Sequence, residues 1–297
     1  MILEDEGRLD LSRPVHAYLP EFDAPDKAAI TVRMLLTHSG GLEAYAPLYE
    51  EHYGSLRGRA AYLAAINARP VRYAPGTKSV YSDWDMVVLQ AVIERITGRT
   101  LDAFVAERVF RPLGMRDTRF TPDTADAPLR ARIAPTAVDS TRGGLLRGVV
   151  HDGNAWALGG VSGHAGLFAS ARDLAVFAQM LLGGGTYGGA RIVAPQTLAR
   201  WTARQLPNAT RALGWDTPAM GSSAGRYMAP RAFGHTGFTG TSLWVDPERG
   251  LFVVLLMNRL RAGGESGTRY TRLRREVADA VEQAVVDAPV VDWDGRR

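Results

Sequence analysis

The fold class is decided between residues 231 and 258, where the chain runs RAFGHTGFTGTSLWVDPERGLFVVLLMN. Short segments rich in aromatic and β-branched residues alternate here with turn residues, which predicts strands at 232–237, 241–246 and 251–258. The second connection, Asp-Pro-Glu-Arg-Gly, is too short to hold a crossover helix. Neighbouring strands joined so closely pair antiparallel. The sequence therefore predicts an antiparallel meander near the end of the chain.

Helices are predicted on both sides of this meander. Apolar residues recur with the helical period between 85 and 97, and Gly98 supplies a C-cap. The full set of predicted helices is 1–7, 31–38 with Thr31 as N-cap, 59–68, 85–97, 100–110, 171–182 with Ser170 and Asp173 as a capping start, 195–204 and 270–285. Residues 121–165 are rich in Gly, Pro, Thr and Asp and are interpreted as long loops. Helices followed by a meander, without strand-helix-strand repeats, indicate a mixed α/β (α+β) fold.

Composition excludes several classes of protein. The chain has 297 residues, 46% of them hydrophobic, and no cysteine, so thiolate catalysis, cysteine-ligated zinc and iron-sulfur clusters are ruled out. The net charge of +4 is spread along the chain without a nucleic-acid-binding motif, so no nucleic acid partner is expected. No apolar run reaches the roughly 18 residues of a membrane span. The acidic start, Met-Ile-Leu-Glu-Asp-Glu, differs from a secretory signal. Oligomeric state and localisation are left open.

Histidines raise the question of a metal. His164 and the pair His151 and Asp152 lack the spacing of a metal-binding motif. We interpret His164 as a loop histidine that hydrogen-bonds the backbone, and we expect no metal and no cofactor.

Four motifs occur in a set order: LLTHSGGL at 35–42, YSD at 81–83, GGVSGHAGLF at 159–168 and HTG at 235–237. With flanking segments such as FRPLGM at 110–115, they resemble the superfamily of serine β-lactamases, penicillin-binding proteins and esterases, specifically its class C-like branch. The resemblance covers nearly the whole chain. It implies a β-lactamase/DD-peptidase-like fold, an antiparallel sheet flanked by helices with a mainly helical subdomain. The expected organisation is one domain over 1–297, mainly helices and loops at 31–230 and strands with a C-terminal helix at 231–297.

The resemblance also assigns candidate residues around Tyr81, which matches the tyrosine that moves the nucleophile's proton. A phenol with an ordinary pKa of about 10 serves as a base at neutral pH only where a neighbouring cation favours the phenolate. Asp83 stands where many relatives carry Asn. Because an ionised carboxylate only accepts hydrogen bonds, Asp83 suggests a substrate donor or an internal partner and disfavours β-lactam hydrolysis.

A second candidate group follows from HTG at 235–237, which matches the lysine-threonine-glycine motif of relatives. The resemblance implies that Thr236 and Gly237 bind the substrate and that the backbone N–H of Phe238 forms part of the oxyanion hole. A histidine has an unperturbed pKa of about 6.5, so we expect His235 to be mostly neutral at pH 7 and to anchor a carboxylate more weakly than lysine. A neutral ester or a decorated peptide therefore fits better than a penicillin.

The nucleophile motif Ser-x-x-Lys is absent from the chain. Only two of the 35 basic residues are lysines, Lys27 and Lys78, and Ala24 and Pro75 stand three residues before them. By the resemblance, the nucleophile would lie before Met1, so we expect an N-terminally truncated chain that also lacks the N-terminal strands of the fold and is inactive as given.

The predicted function is that of a serine acyl hydrolase acting on a small-molecule ester or a cell-wall peptide. Two alternatives stay open. One is a non-catalytic relative that binds cell-wall peptides or a protein partner. The other is an enzyme that uses a different serine, such as Ser39 or Ser162. Most relatives of this superfamily are exported.

Overall fold

The computed structural model describes residues 1–261, 267–287 and 289–296. Contacts divide the chain into two compact units. The helical unit comprises Leu3–Pro112 and Arg116–Ala169. The sheet unit comprises Ser170–Arg297 with the short segments Met1–Ile2 and Leu113–Met115. Among the residues described, no helix is both long and apolar enough to cross a membrane.

The first part of the chain forms seven helices and two small strand pairs in its described residues. The elements are α1 (Ile2–Asp5), α2 (Val32–Leu36), α3 (Arg59–Ala68), α4 (Asp83–Thr97), α5 (Leu101–Val105), β1 (Arg119–Phe120), α6 (Ala127–Arg132), β2 (Ala137–Asp139), β3 (Gly144–Leu146), α7 (Gly153–Ala157) and β4 (Leu167–Phe168). Strands β1 and β4 pair antiparallel, and so do β2 and β3. Helix α5 continues as a π-helical turn over Ala106–Phe110.

Helix α4 is the centre of the helical unit, with α2 and α3 packed against it. Its buried side chains include Trp84, which meets Tyr62 of α3 edge to face with ring centroids 6.1 Å apart. The predicted helix at 85–97 is confirmed, but it begins two residues earlier. The Ser82 hydroxyl accepts a hydrogen bond from the Asp85 N–H and caps the first turn, while Gly98 ends the helix with φ +67°. Asp83 therefore belongs to a helix and not to a loop.

The sheet unit contains α8 (Ala171–Leu182), β5 (Thr186–Tyr187), β6 (Ala190–Arg191), α9 (Pro195–Thr202), β7 (Phe233–Thr236), β8 (Ser242–Asp246), β9 (Leu251–Leu255) and α10 (Gly267–Ala284). Strands β7, β8 and β9 form the predicted antiparallel meander, with β8 in the middle. Helix α8 contacts β8 and β9, and α10 contacts β9. Trp244 and Val253 are cross-strand partners, and both lie in a buried cluster with Ala278 of α10.

The interpretation of 121–165 as long loops was wrong. Helix α6, the hairpin of β2 and β3, and helix α7 all lie in this segment. Each of these elements is only three to six residues long. Elements of this length show too few residues to display a period of 2 or 3.6.

Candidate active site

Tyr81 lies at the surface of the helical unit, directly before the cap of α4. Its side chain is 45% exposed. The ring contacts the imidazole of His38 at a centroid distance of 4.5 Å, with the two planes tilted by 43°. The Tyr81 ring therefore packs on a buried residue, and nearly half of Tyr81 is exposed.

Asp83 occupies the first turn of α4. Its N–H donates to the carbonyl of Ala44 at 3.0 Å, while no residue that the structure describes donates a hydrogen bond to its carboxylate. Burial raises the pKa of this carboxyl, nearby His164 opposes the rise, and the charge of Asp152 adds to it. Asp83 is thus a half-buried acid that still has acceptor capacity to offer a substrate.

Asp152 and His164 form a hydrogen-bonded pair beside Asp83. The Nε2 atom of His164 lies 2.9 Å from the Asp152 carboxylate, and Nδ1 lies 2.7 Å from the Ser162 hydroxyl. Burial raises the pKa of Asp152, but the hydrogen bond and the charge of His164 outweigh it, so the net pKa is lowered. The expectation that His164 hydrogen-bonds the backbone is therefore wrong, because both ring nitrogens bind side chains.

The same side chains form a candidate metal-ligand group. One atom each from Asp83, Asp152 and His164 lies within 4.8 Å of the others. Imidazole and carboxylate are ligands that zinc accepts. Since both nitrogens of His164 are already hydrogen-bonded, we assign these residues a hydrogen-bonding role. They stand 12 and 69 residues apart in the chain, so no local spacing could signal the cluster.

The two alternative serines are buried. Ser39 and Ser162 have exposures of 3% and 2%. The distances from Ser162 through His164 to Asp152 match those of a nucleophile, base and orienting acid. A hydroxyl so deeply buried cannot meet a substrate carbonyl in this conformation, which argues against either serine as the nucleophile.

Strand β7 carries the second candidate group, in the sheet unit. A guanidinium can only donate, so the contact of 3.2 Å between the Arg211 guanidinium and Nε2 of His235 requires an unprotonated Nε2. The Nδ1–H then donates to the Thr236 carbonyl at 2.9 Å. Burial first, and then the charge of Arg211, lowers the pKa of His235. His235 is therefore neutral, and the positive charge beside it belongs to Arg211.

Arg211 is a residue that the sequence analysis missed. It stands 24 positions before His235, so neither periodicity nor motif spacing links the two. The main chain brings them together, because the neighbouring Asp216 forms an antiparallel bridge with Gly234 of β7.

The turn after β7 is fixed by side chains from elsewhere in the sheet unit. The Arg274 guanidinium donates to the carbonyls of Gly237, Gly240 and Thr241 at 2.7, 2.9 and 3.1 Å. A side chain at Gly237 would place its Cβ 2.2 Å from the Thr241 hydroxyl, so a larger residue there requires Thr241 to move. Phe238 is 69% exposed, with the Arg259 guanidinium 4.2 Å from its ring centroid.

Comparison with known proteins decides the family. A model of the β-lactamase family matches residues 1–278. The chain belongs to the β-lactamase family. A relative from Salmonella agona (strain SL483) bears the provisional name D-alanyl-D-alanine carboxypeptidase. It is 36% identical over 279 residues, which cover 86% of this chain and 64% of the relative. The chain thus spans less than two thirds of the length of the curated relatives it matches.

Solved structures confirm the predicted fold of this β-lactamase family chain. A penicillin-binding protein homologue from Caulobacter crescentus has a TM-score of 0.68 at 23% identity, covering 95% of this chain and 79% of that one. The octameric penicillin-binding protein homologue from Pyrococcus abyssi has a TM-score of 0.70 at 19% identity, covering 100% and 65%. A family VIII carboxylesterase has a TM-score of 0.67 at 24% identity, covering 93% and 78%. Identities this low show the fold alone.

Proposed function

We propose that this chain carries the base and the carboxylate-binding residues of a serine acyl hydrolase of the β-lactamase family. In that chemistry a serine oxygen attacks a carbonyl and gives its proton to a base, here Tyr81. The leaving amine or alcohol takes the proton, and water then hydrolyses the acyl-serine. Family membership and the exposed phenol of Tyr81 on the buried His38 support this role.

The observation that supports the proposed substrate class is the contact between the Arg211 guanidinium and Nε2 of His235. A neutral His235 contributes no charge, whereas the Arg211 guanidinium matches the geometry of a carboxylate. A peptide that ends in a free carboxylate is therefore the proposed substrate, in agreement with the provisional carboxypeptidase name of the Salmonella relative. This changes the sequence-based preference for a neutral ester, since Arg211 supplies the charge that His235 lacks.

Asp83 favours a peptide over a penicillin. Its ionised carboxylate accepts hydrogen bonds and donates none, so it suits a substrate N–H better than a carbonyl. Within the described residues its carboxylate receives no hydrogen bond that would use up this capacity. A peptide acyl donor with an N–H at this point fits the residue.

The chain as given forms no acyl-enzyme in this proposal. Its 297 residues contain no Ser-x-x-Lys, and the two alternative serines are buried. Binding of the carboxylate end, in contrast, uses residues that the chain contains.

A binding measurement tests the proposal. We expect acetyl-D-alanyl-D-alanine to shift the ring resonances of His235, and its C-terminal amide to bind at least about tenfold more weakly, since a hydrogen bond to a charged group contributes about 1.5 to 3 kcal/mol. The Arg211→Gln variant should lose this preference for the carboxylate. Equal binding of the acid and the amide by the wild-type chain would refute the assigned substrate class.

A further inference from the structure

We infer that His38 positions Tyr81, an inference that rests on the proposed role of Tyr81 as the base. His38 is buried behind the phenol, in the LLTHSGGL segment, and the acyl-transfer chemistry gives it no step of its own. Its role is to hold Tyr81 and the backbone on both sides of it in place.

Three contacts from this one residue reach three consecutive residues. The His38 carbonyl accepts a hydrogen bond from the Val80 N–H at 2.8 Å. Its Nδ1 atom accepts one from the Ser82 N–H at 3.2 Å. Between them, the imidazole ring lies 4.5 Å from the Tyr81 ring, centroid to centroid. His38 therefore holds the backbone on both sides of Tyr81 and supports the ring itself.

The backbone of His38 is in an unfavourable conformation. Its φ of +53° lies in the left-handed region, which a bulky side chain seldom adopts. Surrounding bonds hold it there, because its N–H donates to the Leu35 carbonyl at 3.1 Å and its carbonyl accepts a second hydrogen bond, from the Tyr73 hydroxyl at 3.3 Å. Strained residues cluster at functional sites where the surrounding structure fixes them. With φ near +53°, one residue turns both its carbonyl and its ring toward the Tyr81 segment.

The hydrogen bond from Ser82 also fixes the tautomer of His38. A backbone N–H can only donate, so Nδ1 is unprotonated and the neutral ring carries its proton on Nε2. The Asp85 carboxylate lies 3.6 Å from Nδ1, beyond hydrogen-bond distance. The two rings meet in a tilted contact, which orients the phenol of Tyr81.

The test removes the ring without disturbing the backbone. Glycine adopts positive φ without strain, so the His38→Gly variant should fold and leave a space of imidazole size. We expect the Ser82 amide to exchange its hydrogen about tenfold faster, the change that one lost hydrogen bond produces. The Tyr81 ring resonances should move toward those of a solvated tyrosine. Added imidazole should restore both signals in proportion to its occupancy of the space, together with the rise in the unfolding midpoint that binding to the native state produces.

Two further variants separate the ring from the backbone. Tyr73→Phe removes a hydrogen bond to the His38 carbonyl but keeps the imidazole, so both signals should stay as in the wild type. His38→Asn tolerates positive φ and offers an acceptor to Ser82, so it should keep the slow exchange and lose the Tyr81 signature.

The inference would be overturned if His38→Gly left the Tyr81 resonances unchanged, or if imidazole failed to restore them. Both results leave the proposed function standing, because that proposal is tested on Arg211 with a peptide ligand.

Discussion

Glu282 of α10 offers the sharpest stability prediction, because it is a buried carboxyl in an acidic neighbourhood. Its side chain has no exposed surface, and the Arg249 guanidinium lies 2.6 Å away. Burial first, then the charge of Asp246, raises its pKa to about 7, against the opposing charge of Arg249. The native state therefore keeps a proton that the unfolded chain releases near its ordinary pKa of 4.5. The free energy of unfolding should fall as the pH rises from about 4.5 to about 7 and level off above.

The Glu282→Gln substitution removes this titration while keeping the shape of the protonated acid. A pKa raised from 4.5 to about 7 corresponds to about 3 kcal/mol. At pH 5 the variant should be more stable than the wild type by only about 1 kcal/mol, and at pH 8 by about 3 kcal/mol. Urea unfolding at pH 5, 6, 7 and 8, followed by circular dichroism, measures the difference.

Glu248→Gln is the matched control. Glu248 lies in the same turn as Arg249 but is exposed, so its substitution should change the free energy of unfolding by less than about 0.5 kcal/mol at every pH. If the curves for the wild type and Glu282→Gln ran parallel from pH 5 to pH 8, the assignment of a buried, proton-binding Glu282 would be refuted.

Three other substitutions test separate parts of the structure. Arg211→Gln should raise the pKa of His235, because it removes the charge that opposes protonation of the ring; an NMR titration midpoint equal to that of the wild type would contradict the contact. Gly237→Ala should destabilise the sheet unit by about 1 to 3 kcal/mol in urea because its Cβ meets the Thr241 hydroxyl, and adding Thr241→Ala should recover most of the loss. Asp85→Asn should gain stability over the wild type as the pH rises toward 8, because burial raises the pKa of Asp85 and ionising it costs free energy; a difference independent of pH would show that Asp85 does not titrate there.

Elements with a strong local signal were predictable from the sequence. The caps Thr31 and Ser170 are in place, since their side chains accept from the Met34 and Asp173 N–H groups. The meander also follows its pattern, because short turns leave only antiparallel pairing. The start of α4 was predicted two residues too late. The prediction followed the apolar residues, whereas Ser82 caps the helix and Asp83 begins it.

Contacts between distant residues were not predictable. Arg211 reaches His235 through a loop, and His164 reaches Asp152 across the turn that follows α7. Such pairs depend on tertiary packing, and no periodicity encodes them. The Arg211 guanidinium beside His235 and the side-chain partners of His164 were therefore missed. His38 stood in a recognised motif, yet its role follows only from its φ and its three contacts.

The most direct test of the account is the mass of the intact chain after incubation with a fluorophosphonate probe or with benzylpenicillin. We predict an unchanged mass, because the 297 residues contain no Ser-x-x-Lys and bury Ser39 and Ser162. A stoichiometric adduct would contradict the central claim that these residues supply the base and the carboxylate site but not the nucleophile.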